Sequence, residues 1–314
     1  MYTALDQEFS EPLFAPFEKA AGIRVRPNFD TEATKTVGLA NRIMVEAEGG
    51  RTRCDLFWNN EILHTLRLKA RGLLRPMHPP NGEPFPAQFK AADGTWYGFA
   101  ARARVLIVNT KLVAEDDTPR SIFDLTDAKW KGKVGMAKPL FSTTATHAAC
   151  LFAKLGPERA QQFFLDLKAN DVQILSGNKQ VALNVGDGTL PLGLTDTDDA
   201  MDEVDKGMPV RIIYLDSAPD ELGTLFIPNT LAALRGSPHP EAADRLADYL
   251  LGPDVESALA RGPSAQIPLN PAVRVPLRVE TPATIHAMDV DFEQAARVWD
   301  QTARFLAAQF LGPD

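Results

Sequence analysis

Leu190–Val210 reads LPLGLTDTDDAMDEVDKGMPV, and the fold turns on how this stretch is read. Leu190–Leu194 is a short apolar run broken only by Pro191 and Gly193, as in a buried strand. It runs into Thr195, Asp196, Thr197, Asp198 and Asp199, three carboxylates and two hydroxyls in succession. Ala200, Met201 and Val204 then fall at helical spacing, so a helix begins within the polar run. In open α/β sheets, ligands are held where strands end at the start of helices. Capping and the helix dipole account for one or two of these residues, but not readily for five.

Working outward, the same alternation recurs on both sides. Tyr2–Leu5 reads as a strand, followed by a helix carrying Leu13, Phe14, Phe17 and Ala20 that Gly22 stops. Ile23–Pro27 reads as a second strand, Thr34–Glu48 as an amphipathic helix and Asp55–Trp58 as a third strand. Asn59, Asn60 and Glu61 then cap a helix over Ile62–Ala70, which makes this half β-α-β-α-β-α. Arg104–Asn109 is apolar enough for a strand buried on both faces, and Val134–Ala137 is another short strand. Between the latter and a helix over Ala148–Leu155 lie Ser142, Thr143, Thr144 and Thr146, four hydroxyls at a strand-to-helix turn where unpaired N–H groups can cradle an anion. Pro157–Ala169 and Gln180–Gly186 read as helices, the second opened by Ser176–Lys179. Leu225–Ala232 reads as a strand crossing back, and helices follow over Pro240–Leu251, Pro253–Ala260 and Phe292–Leu311.

The bulk numbers narrow the function classes. The 314 residues allow two domains, and 45% hydrophobic with 24% charged residues is a globular composition. A net charge of −8 argues against a nucleic-acid or anionic-membrane surface. No apolar stretch approaches the ~18–20 residues of a membrane span, and the opening residues MYTALD show no export signal. Cys54 and Cys150 are read as separate structural thiols. Trp58, beside Asn59 and Glu61, is either an apolar wall of a ligand site or a core residue. His147, close to the hydroxyl run, is read as a structural imidazole, the alternative being a cap or a contact to an anion.

Enzyme readings of the acidic run are weaker. Asp196-x-Asp198 after an apolar strand is similar to the start of haloacid-dehalogenase phosphatases, with one Asp as nucleophile and the other as acid/base on Mg²⁺. That motif usually opens the chain, and Ala200 stands where Thr or Val is expected. An EF-hand loop fails at Met201, where glycine is required. The chain has no GxSxG elbow and no metal-ligand spacing among its five histidines.

The ordered blocks YTALDQEFSEPLFAPFEKAAGIRV, DLFWNNEILHTLRLKARGLLRP, WYGFAARARVLIVNTK, WKGKVGMAKP, SGNKQVALNVGDGTLPLGLTDTDDA and FIPNTLAALRGSPHPEAADRLADYLLGPDVE resemble the iron(III)-type extracellular solute-binding proteins of ABC importers. The resemblance covers nearly the whole chain. It implies an α/β, two-lobed periplasmic binding protein of type 2, its lobes joined by crossing strands around a ligand cleft. The lobes would comprise 1–103 plus 227–285, and 104–226 plus 286–314. It further implies a monomer located in the periplasm or otherwise outside the cytoplasm, with no catalysis, no nucleic acid and an ABC permease as membrane partner.

The site carries over only in part. Ferric members of the family use adjacent tyrosines just after the strand matching Leu190–Leu194, and Asp198 and Asp199 stand there in this chain. The family's first-loop histidine falls near Asp6, and its acidic ligand near Asn60 or Glu61. The anion half matches Arg102 or Arg104, Ser142, Thr143, Thr144 and Asn178, residue types suited to phosphate, carboxylate or carbonate; either arginine could instead pair with a neighbouring acid. With Asp196, this set is expected to hold a small organic anion, phosphorylated or phosphonate-like. The alternative is iron(III) or a divalent cation as bound metal, on Asp6, Glu61, Asp198 and Asp199 with a synergistic anion. No cofactor is otherwise implied.

Overall fold

The computed structural model describes residues 1–29 and 36–311. Along the chain the strands are β1 (Tyr2–Thr3), β2 (Asn28–Phe29), β3 (Leu56–Asn59), β4 (Leu74–Arg75) and the long β5 (Tyr97–Asn109). They continue as β6 (Val134–Ala137), β7 (Gln173–Leu175), β8 (Leu192–Asp196), β9 (Val210–Ile213) and β10 (Phe226–Leu234). The chain divides into two compact units, Met1–Ala101 with Pro228–Arg278, and Arg102–Ile227 with Val279–Asp314. The divisions within β5 and β10 place Arg102 in the second unit with Arg104, whereas the sequence reading put it in the first. They also assign 279–285 to the second unit.

In the first unit β1 lies between β2 and β3 with both pairings parallel, and β10 runs antiparallel to β3 and β4. Its core includes Trp58, fully buried against Phe14 and Phe99 at ring-centroid distances of 6.5 and 5.1 Å, with its indole N–H donated to Asn229. Trp58 is therefore a core residue and not a wall of a ligand site. Ile23–Pro27 is not a strand. The Val25 amide donates to Glu18 Oε1 at 2.6 Å, and ladder pairing with β1 begins only at Asn28. The second helix is seen over Val37–Glu48; its expected start at Thr34 lies outside the described residues.

In the second unit β5 pairs antiparallel with β8 and with β9, while β8, β6 and β7 run parallel in that order. All thirteen residues of β5 are buried, as a strand covered on both faces requires. Gly135 and Gly193 are register partners across β6 and β8, and a Cβ on Gly193 would collide with Val181 of the helix Asn178–Gly186. That helix therefore lies directly against the strands. Cys54 and Cys150 are both buried and are not joined in a disulfide, and no helix among the described residues is long and apolar enough to cross a membrane.

Candidate functional site

Parallel pairing decides the geometry of the second unit. Because β7, β6 and β8 run the same way, their C-terminal ends share one edge, and each feeds a helix. The helices are Ser142–Leu155 after β6, Asn178–Gly186 after β7 and Thr197–Asp205 after β8. The first two begin earlier than the sequence suggested. The hydroxyls Ser142, Thr143, Thr144 and Thr146 thus belong to the helix and not to a preceding turn. Likewise Asp196 closes β8, and Asp198 and Asp199 lie in the first turn of the next helix, leaving no acidic loop between.

Side chains tie the three helix starts together. Arg104 and Asp196 are register partners across β5 and β8, and Arg104 Nη1 reaches Asp196 Oδ1 at 2.7 Å. The other Asp196 oxygen accepts from Thr143 Oγ1 and from Asn178 Nδ2, the latter at 3.0 Å. Asn178 Oδ1 in turn accepts from Thr144 Oγ1 at 3.0 Å and Arg104 Nη1 at 3.1 Å. Thr195 Oγ1 holds the Asn178 carbonyl, and Thr197 Oγ1 accepts the Ala103 amide. The pattern of the acidic run drew attention to its carboxylates; these two threonines do the local anchoring, and only strand pairing reveals it. Arg102 Nε lies 3.3 Å from Asp198 Oδ2. Each arginine expected to hold a ligand anion is therefore paired with an acid of the same unit.

The helix N-termini themselves are not capped by their N-cap residues. Phe141 and Gly177 have no suitable side chain, and Asp196 turns its carboxylate to Arg104, so none of the three makes a side-chain cap bond. Three positive dipole ends converge there, beside two guanidinium groups that are each paired with an acid. Ser142, at the start of its helix, has φ of +53°, a left-handed conformation uncommon outside glycine. His147 and Arg104 line a small cavity of about 10 Å³. Burial first, and then the Arg104 charge, push the His147 imidazole down to about 3, so it stays neutral at physiological pH.

In the first unit, the carboxylate of Glu61 is fully buried. It accepts Asn59 Nδ2 at 2.7 Å, the Leu63 amide, and the His64 amide at 3.0 Å. This side chain serves the start of the helix Leu63–Ala70. Asn60 is buried beside it, and half-buried Asp6 is the N-cap of the short helix Gln7–Ser10.

Both oxygens of Asp196 are engaged, so the geometry does not prepare it as the nucleophile of a phosphatase. Oxygen atoms of Asp196, Asp198 and Asp199 do lie within 4.8 Å of one another. The four tyrosines are elsewhere. The Tyr2 hydroxyl donates to Glu46, Tyr97 to the Met77 carbonyl and Tyr249 to the Leu13 carbonyl, while Tyr214 accepts the Glu280 amide. Burial raises the pKa of all four, that of Tyr214 to about 12, which keeps the phenols protonated.

This architecture is the two-lobed α/β fold of type 2 periplasmic binding proteins. Iron-bound HitA from Pseudomonas aeruginosa matches it with a TM-score of 0.86 at 23% identity, covering 97% of each chain. AfuA from Actinobacillus pleuropneumoniae, solved with exogenous fructose-6-phosphate bound, matches with a TM-score of 0.86 at 20% identity, covering 99% of this chain and 98% of that one. In sequence, the major ferric iron-binding protein of Neisseria meningitidis serogroup A is 24% identical over 317 residues, 96% of this chain and 91% of its own length. The family model for bacterial extracellular solute-binding proteins matches residues 64–294. The chain belongs to that family, the iron(III)-type binding components of ABC importers.

Proposed function

We propose that this protein captures a small organic anion, phosphorylated or phosphonate-like, and delivers it to an ABC permease from the periplasm or another extracytoplasmic space. The observation that carries the reading is the convergence of three helix N-termini, none capped by its N-cap side chain, at Thr143, Asn178 and Asp196. Backbone N–H groups of those first turns would donate to the charged end of the solute. Asp198 and Asp199 would take its hydroxyl or amino groups, where ferric relatives are expected to place tyrosines. Arg104, tied to Asp196, would position the helix starts and add positive potential. The protein acts by binding, with no bond made or broken in the solute.

A second reading is kept alive by the carboxylate oxygens of Asp196, Asp198 and Asp199, which could share a hard cation as cargo. Against it stand the ion pair that occupies Asp196 and the absence of any tyrosine from this cluster. Without phenolate oxygens, tight ferric binding loses its strongest donors. Native mass spectrometry with elemental analysis, on protein purified without chelators, separates the two. A small anionic adduct without metal is expected; stoichiometric iron without an organic adduct would overturn the proposal.

A further inference from the structure

The first unit contains a cavity of about 690 Å³ at the N-terminal ends of β1 and β3, the opposite end of β3 from Asn59 and Glu61. Its floor is apolar, with Val25, Leu56, Ala243 and Leu246, whereas Arg24, Arg26, Arg42 and Arg53 stand around it. Four arginines line one cavity in a chain whose net charge is −8, one of them, Arg42, paired with Glu46. The acid in the lining, Asp55, is already engaged by Ser237 Oγ at 2.7 Å and the His239 amide at 2.8 Å. Burial alone would raise its pKa, but these bonds outweigh that and hold its carboxyl below the ordinary value. Arg42 is fixed in place, its Nε 3.1 Å from Glu46 and its guanidinium 4.8 Å from the centre of the Tyr2 ring.

We propose that this cavity is a second binding site, for a small organic anion with an apolar body. Its volume falls in the usual range for small-molecule pockets. An inorganic anion would leave the apolar floor unused, and a neutral apolar molecule would leave the guanidinium groups unused. A carboxylate, phosphate or sulfonate on an aromatic or short acyl body uses both, with the charged end gripped by arginine. This site is independent of the solute reading made for the second unit.

The test is a fluorescence titration with anilinonaphthalene sulfonate, an anion on an aromatic body. One saturable site is expected. The double substitution Arg24→Glu with Arg53→Glu, both at exposed positions, should weaken it by about 10-fold or more, as for lost charge-assisted bonds. Ala242→Trp, which places an indole in the cavity, should abolish it. Asp198→Asn with Asp199→Asn should leave it unchanged. Circular dichroism melts confirm that each variant is folded. No saturable binding, equal titrations in wild type and both cavity variants, or loss in the Asp198/Asp199 variant instead would each overturn the proposal.

Discussion

Two strand-to-helix junctions in this chain look alike in sequence and behave differently. At Asn59-Asn60-Glu61 the acid folds back on its own helix and accepts the amides of Leu63 and His64. At Thr195-Asp196-Thr197 the acid turns sideways to Arg104, Thr143 and Asn178 and makes no cap bond to its own helix. The difference lies in what stands across the sheet. Asp196 faces Arg104 in the β5–β8 ladder, whereas the register partner of Asn59 at the other junction is Thr230. A carboxylate opposite a buried guanidinium is drawn into an ion pair; one beside bare amides becomes a cap.

The sharpest way to break this contrast is Asp196→Ala. It leaves Arg104 buried without its acid, and loss of one partner from a buried pair costs about 3–5 kcal/mol. Urea unfolding should show that loss, and solute binding should fall with it. If stability holds, Asp196 is not the tie described above. Glu61→Gln should cost less, about 1–2 kcal/mol for a weakened helix start, with solute affinity unchanged. Loss of affinity without loss of stability would make Glu61 a ligand contact. Thr144→Val removes one neutral hydrogen bond to Asn178 and should cost about 1 kcal/mol, measured by the same unfolding curves.

A pH series sharpens the comparison at smaller scale. His147 has a folded pKa near 3, below its ordinary value of 6.5, so the unfolded chain binds the proton first. Stability should therefore fall as pH drops from about 6.5 towards 3, and His147→Gln should flatten that part of the profile. An unchanged slope in the variant would mean that other groups set the acid limb.

Much of the framework was legible from local pattern. Val134–Ala137 and Pro157–Ala169 have the predicted ends, because strong apolar runs and a proline at the helix start fix them. The site was half legible. The residue types at Ser142–Thr144, Asn178 and Asp196–Asp199 were recognisable, but not their bonding, since Arg104 and Asp196 are 92 positions apart and meet only through strand register. Ser and Thr runs disfavour helix interiors on their own. Here Thr143 and Thr144 bond across the unit, and their helix starts earlier than local preference suggests. IRVRP misled for the converse reason: its alternation is real, but the Glu18 side chain takes the Val25 amide.

The two glycines behind the site set a tolerance. Gly135 and Gly193 let the helix Asn178–Gly186 rest on bare backbone, and Asn178 opens that helix. A methyl group at residue 193 would act as a shim, displacing the helix and with it the amide that links Thr143, Thr144 and Asp196. The calibre of a position that touches no solute would then govern how the three helix starts meet.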